Sequence, residues 1–294
     1  GTALKATAAA TAAAVAGAAT AIGALTTKAI EGYAAQEQLV GGVETLFKTS
    51  SDTVVGYAND AYKTAGMSAN EYMETVTSFS ASLLASMNND TAAAAEKANV
   101  AITDMSDNAN KMGTDISLIQ NAYNGFAKQN YTMLDNLKLG YGGTKEEMQR
   151  LLDDASKLSG IKYDISSYSD VVDAIHVVQT EMGITGTTAK EASTTIEGSV
   201  SSMSSAWDNW VAGMADSEAN FSQLTSNLVD SIVTVVGNIA PRVIETVPRL
   251  VSGLGEIVEQ LATYIPQVIQ ELLPPLMSGV QDLLNTLVGM LPEM

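Results

Sequence analysis

Apolar residues recur along this chain at helical spacing, and sustained alternation is absent, so the pattern predicts helices and no sheet. From 1 to about 50 the chain reads as one alanine-rich helix. Between Lys5 and Lys28 it carries no charge, and 6–27 hold twelve Ala, five Thr and two Gly, with only Val15, Ile22 and Leu25 as larger apolar groups. That length could cross a bilayer. Alanine gains little from leaving water, however, so the first reading is a slender helix whose small faces allow close helix approach. Membrane insertion is the second reading. Poor in Leu, the run does not read as a secretory signal. Helix continues over 29–66, with weak breaks expected at Gly41-Gly42 and Gly66.

Capping pairs then divide the chain. Ser68 with Glu71 opens a helix to about Met87, Asn88–Thr91 is a turn, and helix resumes over Ala92–Lys111. Gly113-Thr114-Asp115 breaks it and caps a helix over 115–127, with another predicted from Tyr131 to Leu139. Gly140–Gly143 is a loop. Thr144 with Glu147 caps a helix whose Met148, Leu151, Leu152, Ala155 and Leu158 repeat at helical spacing. Ser169 is expected to cap a helix with Val171, Ile175, Val178 and Met182 on one face. Thr188 with Glu191 is expected to cap a last core helix running to about 215 through Trp207 and Trp210, three residues apart on one face. The reading therefore gives an all-α chain: an Ala-rich helix at 1–50, a multi-helix core at 51–187, a helical connector at 188–223 and amphipathic repeats at 224–294.

In that last part all six prolines occur, the first at Pro241. LVSGLGEIVEQLATYIP at 250–266 aligns with LMSGVQDLLNTLVGMLP at 276–292, a repeat of 26 residues, and a fainter copy precedes them. Each unit reads as a short amphipathic helix ended by proline, which removes a donor and clashes with the preceding turn. Leu254, Ile257, Val258, Leu261 and Ile265 form the stripe. A unit this small cannot bury its stripe alone and must stack or oligomerise.

Composition limits the chemistry. With 33 acidic and 15 basic residues in 294, the net charge of −18 repels phosphate backbones, so specific nucleic-acid binding is not expected; the charge gives solubility, or suits a surface facing passing DNA. Large side chains are few, aromatics making up 5%, which points to a thin core. The chain starts at Gly1 inside an alanine run, as a piece of a longer protein would. Cysteine is absent, which removes disulfides, thiolate metal sites and thiol nucleophiles. His176, the only histidine, cannot form a hydrolytic metal site by itself and reads as structural. Gly-Gly-Thr-Lys at 142–145 has the wrong order for a phosphate loop and follows a helix, so it reads as an interhelix turn. Glu218-Ala219-Asn220-Phe221 is a weak likeness to the Glu-Ser-x-Phe stretch carrying the acid of lytic transglycosylases, with Ala in place of Ser; it reads as a helix turn with Phe221 packed inward. No catalytic, cofactor-binding or metal-binding residue is assigned, and an enzyme is not expected.

Two long strings carry a resemblance. GTDISLIQNAYNGFAKQNYTMLDNLKLGYGGTKEEMQRLLDDASKL at 113–158 and KYDISSYSDVVDAIHVVQTEMGITGTTAKEASTTIEGSVSSMSSAWDNW at 162–210 resemble the core of tape-measure proteins of long-tailed bacteriophages and prophages. YAAQEQLVGGVETLF at 33–47 extends the likeness, which spans roughly 30–215 and continues more weakly into the proline-punctuated tail. The resemblance implies a mostly helical structural virion protein that fills the tail tube during assembly, sets its length and leaves at infection. It implies contact with the tail tube protein, assembly chaperones and tail-tip or baseplate proteins, residence in the tail lumen after host cytoplasmic assembly, and homo-oligomers. Transient contact with the host membrane, through 6–27 or 224–294, is the alternative role; a wall-degrading enzyme is the third. The family offers no catalytic residue at these positions.

Overall fold

A computed structural model describes residues 2–264 and Ser278, with side chains from Gly23 onward and gaps beyond Glu256. The chain is about 81% helical, with no strand among the described residues, so the all-α expectation holds. Two compact units divide it at 235/236.

In the first unit α1 (Thr2–Phe47) is followed by a 3₁₀ turn at Lys48–Ser50, α2 (Ser51–Thr64), α3 (Ala69–Ser86), α4 (Thr91–Met112) and α5 (Ile116–Phe126). A 3₁₀ turn at Leu134–Leu137 leads to α6 (Lys145–Ser159), α7 (Tyr168–Glu181), α8 (Thr187–Thr194) and α9 (Ile196–Gly213). The helix α10 (Phe221–Tyr264) begins here and continues into the second unit. α4 is the hub, touching α1, α2, α3, α5, α7 and α8. Around it Phe47, Tyr72, Leu83, Ile102, Tyr123, Phe126, Leu151 and Ile175 form one apolar core.

Several boundaries follow the caps. Ser68 accepts from the Glu71 N–H while the Glu71 carboxylate accepts from the Ser68 N–H at 2.8 Å, a complete capping box. Asp90 and Asp115 cap α4 and α5 with their carboxylates. Thr144 caps α6, but Glu147 reaches back past it to the Gly142 N–H, tying down the loop instead of the cap.

Other expectations need correction. α1 runs unbroken through Gly41-Gly42, since tertiary contacts on α3 outweigh a glycine cost of about 1 kcal/mol each. The break falls instead at Lys48, whose φ is +51°, and Gly66 with φ +63° separates α2 from α3 as read. The segment 131–139 is only one 3₁₀ turn, because Asn130 accepts from Thr132 in an Asx turn and Lys138 is left-handed. Ser167, not Ser169, caps α7. Thr188 caps nothing: α8 starts after Gly186 without a side-chain cap, and the helix expected over 188–215 is broken at extended Thr195, which caps α9 through the Gly198 N–H. α10 continues through Pro241 and Pro248, so these prolines do not end helices. Both are exposed, as are Gly237 and Ile244, whose carbonyls lose their helical donors and remain open to water. The later prolines, Ile265 and the second repeat unit apart from Ser278 lie outside the described residues, as do the side chains of Ile257, Val258 and Leu261.

Small residues position elements closely. At Gly32 on α1 an added Cβ would sit 3.2 Å from the Ala212 Cβ on α9, a close helix crossing of the type expected for the small-faced N-terminal run, although the side chains of 6–22 lie outside the described residues. Gly143 is required for another reason: a Cβ there would overlap the Thr132 carbonyl oxygen. Gly143→Ala is therefore expected to destabilise the chain by about 2 kcal/mol, the usual scale of forced backbone shifts. A urea midpoint matching the parent's would contradict that.

Candidate functional site

The buried polar centre of the first unit is built on α4. Asp104, Asp107 and Asn108 are buried there, on a helix enclosed by neighbours on several sides. Asp107 Oδ1 accepts the Thr188 N–H at 2.8 Å and Oδ2 the Gly186 N–H, so one carboxylate fastens the start of α8 from a distance of some eighty residues. Asn108 donates to the Leu137 carbonyl and holds the second 3₁₀ turn. Asp104 meets His176 on α7, with Nδ1 2.9 Å from Oδ2, and Lys97 pairs with Asp173 nearby.

Burial holds the Asp104 carboxyl above its ordinary range, outweighing the opposing pull of the His176 hydrogen bond. His176 is raised, first by its hydrogen bond to Asp104; its partial burial opposes this, Asp173 adds to it and Lys97 subtracts. Both groups bind protons more tightly folded than unfolded, so the pair stabilises most below the unfolded values and this contribution is lost as pH rises through the folded ones. With one histidine and no cysteine, few other groups titrate near neutrality. The melting temperature is therefore expected to rise as pH falls from about 8.5 to about 6.5, the ordinary histidine value. A His176→Gln chain that shows the same rise would remove His176 as the cause.

The His176–Asp104 contact fixes the orientation of the imidazole on α7. Among the described residues no group of three His, Cys, Asp or Glu side chains is arranged to hold a metal ion. Glu218 lies exposed in the turn between α9 and α10. It borders a cavity of about 630 Å³ that also includes Lys28, Glu31 and Asp208. Burial raises Asp208 most, Glu71 adds to that, and Lys28 opposes it. A second cavity of about 630 Å³ is walled by α3, α4, α5, α8 and α9 and carries Glu71, Glu74, Gln120, Asn124 and Glu197. Neither is lined by a histidine.

The tryptophan pair read from sequence is an aromatic ladder: Trp207 and Trp210 lie 5.3 Å apart, and Trp210 stacks on Phe221 at 5.5 Å. Trp210 Nε1 donates to Thr225, and Leu228 packs with Tyr62 and Ala206, so the start of α10 is fixed within the first unit. Phe221 stays partly exposed instead of turning fully inward.

The remaining feature is the apolar surface of α10. Val229, Ile232 and Val233 are exposed in the first unit; Ile244, Leu250 and Val251 are exposed in the second, Ile244 by 65%. Phe221–Glu256 is long and apolar enough to cross a membrane by length and composition. Of the stripe read from sequence only Leu254 has a described side chain, and it is half-buried; the exposed apolar residues of α10 and the buried acids of α4 were not singled out there. No protein-family profile, curated protein or solved structure matches this chain.

Proposed function

We propose that this chain is a structural protein of a bacteriophage tail, acting as length ruler and scaffold inside the tail tube and leaving it at infection. The observation that carries the reading is the pair of strings at 113–158 and 162–210, with their tape-measure resemblance. The largely helical architecture, with the 46-residue α1 and the 44-residue α10, supports it, since extended helical length is what a ruler needs. The acidic surface supports it too: a lumen that DNA later traverses should not hold DNA. In this reading the tube protein polymerises around the chain, chaperones cover its apolar surface before assembly, and tip or baseplate proteins anchor one end.

The test is its place in the particle. In phage particles made by the encoding genome, the chain should be present in filled tails and missing from tails after triggered ejection. Absence from filled tails would overturn the reading. A second reading, a membrane-active helper of genome delivery, is favoured by the exposed apolar α10. It predicts leakage of dye-loaded liposomes by the purified chain, lost on replacing Ile244 and Val251 with Asp. Intact liposomes would count against it.

A further inference from the structure

The cavity beside the tryptophan ladder joins one apolar wall to many groups that both donate and accept hydrogen bonds. It lies in the first unit, between α1, the junction of α2 and α3, α9 and the start of α10. Trp207 lines it and stays 42% exposed, although an indole gains much from burial. The ring is braced: it lies 5.3 Å from Trp210, which stacks on Phe221 and donates to Thr225. A ring fixed in this way loses little freedom when a ligand covers it.

Primary amides of Gln36, Asn59, Asn70, Asn209 and Gln223 share the lining, each with two donors and an acceptor. Asn209 Oδ1 accepts the Ala69 N–H at 2.7 Å, which fixes the amide and leaves its amino end as a donor. Asn70 is the converse: its Nδ2 donates to the Gly32 carbonyl, and its Oδ1 is buried without a partner. Glu31, Asp208, Asp216 and Glu218 against Lys28 make the lining acidic, which disfavours phosphate, sulfate and uronate groups. A carboxylate can accept from two neighbouring hydroxyls at once.

We propose that this cavity binds a neutral pyranose oligosaccharide, with Trp207 against the C–H face of one ring and the amides and carboxylates on the hydroxyls. A pyranose with equatorial substituents presents such a face, and its slightly positive C–H bonds meet the negative face of the indole. Its hydroxyls both donate and accept, as the Asn70 and Asn209 amides require. The volume of about 630 Å³ is within the range of small-molecule sites. A polyamine meets the carboxylates but offers only donors, which would set like groups against the Asn209 amino end. The inference does not depend on the tail reading, because it rests on the lining of the cavity.

Isothermal titration of the full chain with the β-1,4-linked tetramers of glucose and of N-acetylglucosamine tests it. The parent should bind at least one tetramer with a Kd below about 1 mM. Trp207→Ala should weaken this about tenfold, the worth of one aromatic contact, and Trp207→Tyr should restore most of it. Asn59→Leu, on α2, should weaken it as well. The chain's two tryptophans both belong to the ladder, so their emission should shift on binding. Retention of the parent on insoluble chitin, reversed by the N-acetylglucosamine tetramer, identifies a polymer as the source; tetramer binding without retention identifies a free saccharide, and either keeps the assignment. No heat from either tetramer overturns the proposal, as does tetramer binding that Trp207→Ala and Asn59→Leu both leave unchanged. Spermine binding that Trp207→Ala weakens, with both tetramers inert, assigns the cavity to a cation and also overturns it.

Discussion

Asp107→Ala should lower the stability of the chain by about 3 kcal/mol, because two backbone N–H groups lose their acceptor in a buried site at roughly 1–3 kcal/mol each. The groups are those of Gly186 and Thr188, and Asp107 itself is fully buried. Two smaller effects offset part of the loss. Alanine is the better helix former at mid-α4 by roughly half a kcal/mol. Removing a neighbouring acid also relieves some repulsion on Asp104. Asp107→Asn keeps one acceptor oxygen and should lose about half as much. Thermal melts should show the alanine variant roughly 6–12 °C below the parent. Amide exchange should accelerate first at Gly186 and Thr188, before the core of α3 and α4. A variant melting with the parent would mean that α8 is held by other contacts.

The same residue shows where sequence reading stopped. Helix positions were legible wherever the signal was local: the Ser68–Glu71 box, the Asp115 cap and the Met148–Ala155 stripe all lie at the ends or on the face they mark. Asp104 and Asp107 look like solvent-facing acids on an alanine-rich helix, and nothing in their spacing says otherwise. They are buried because α7 and α8 return to cover α4 some eighty residues later, supplying His176 and two backbone donors. Thr188 misled for the same reason: its N–H is satisfied by a remote carboxylate, so no local cap was needed. α10 runs on through Pro241 and Pro248 because a helix tolerates proline where the freed carbonyl meets water, whereas Pro266 and Pro292, which end the two aligned units, lie outside the described residues. The polar cavities left no mark in sequence, since their walls come from five or more separate segments.

Tail length should follow the number of residues in the chain, whichever side chains they carry. Deleting 236–256, three times seven residues, joins Val235 to Ile257 with the helical phase of the apolar positions nearly kept. On a helical rise of about 1.5 Å per residue the tail should shorten by roughly 30 Å. Were the segment drawn out fully in the tube, the change would approach ~70 Å at about 3.3–3.6 Å per residue. Duplicating the same residues should lengthen the tail by the same amount, and Ser252→Asp, which changes charge without changing length, should leave it unaltered. The decisive measurement is the mean tail length in negative-stain images of deletion, duplication and parent particles. Opposite shifts of equal size are the predicted result; infectious particles whose tails keep the parent length would contradict the ruler.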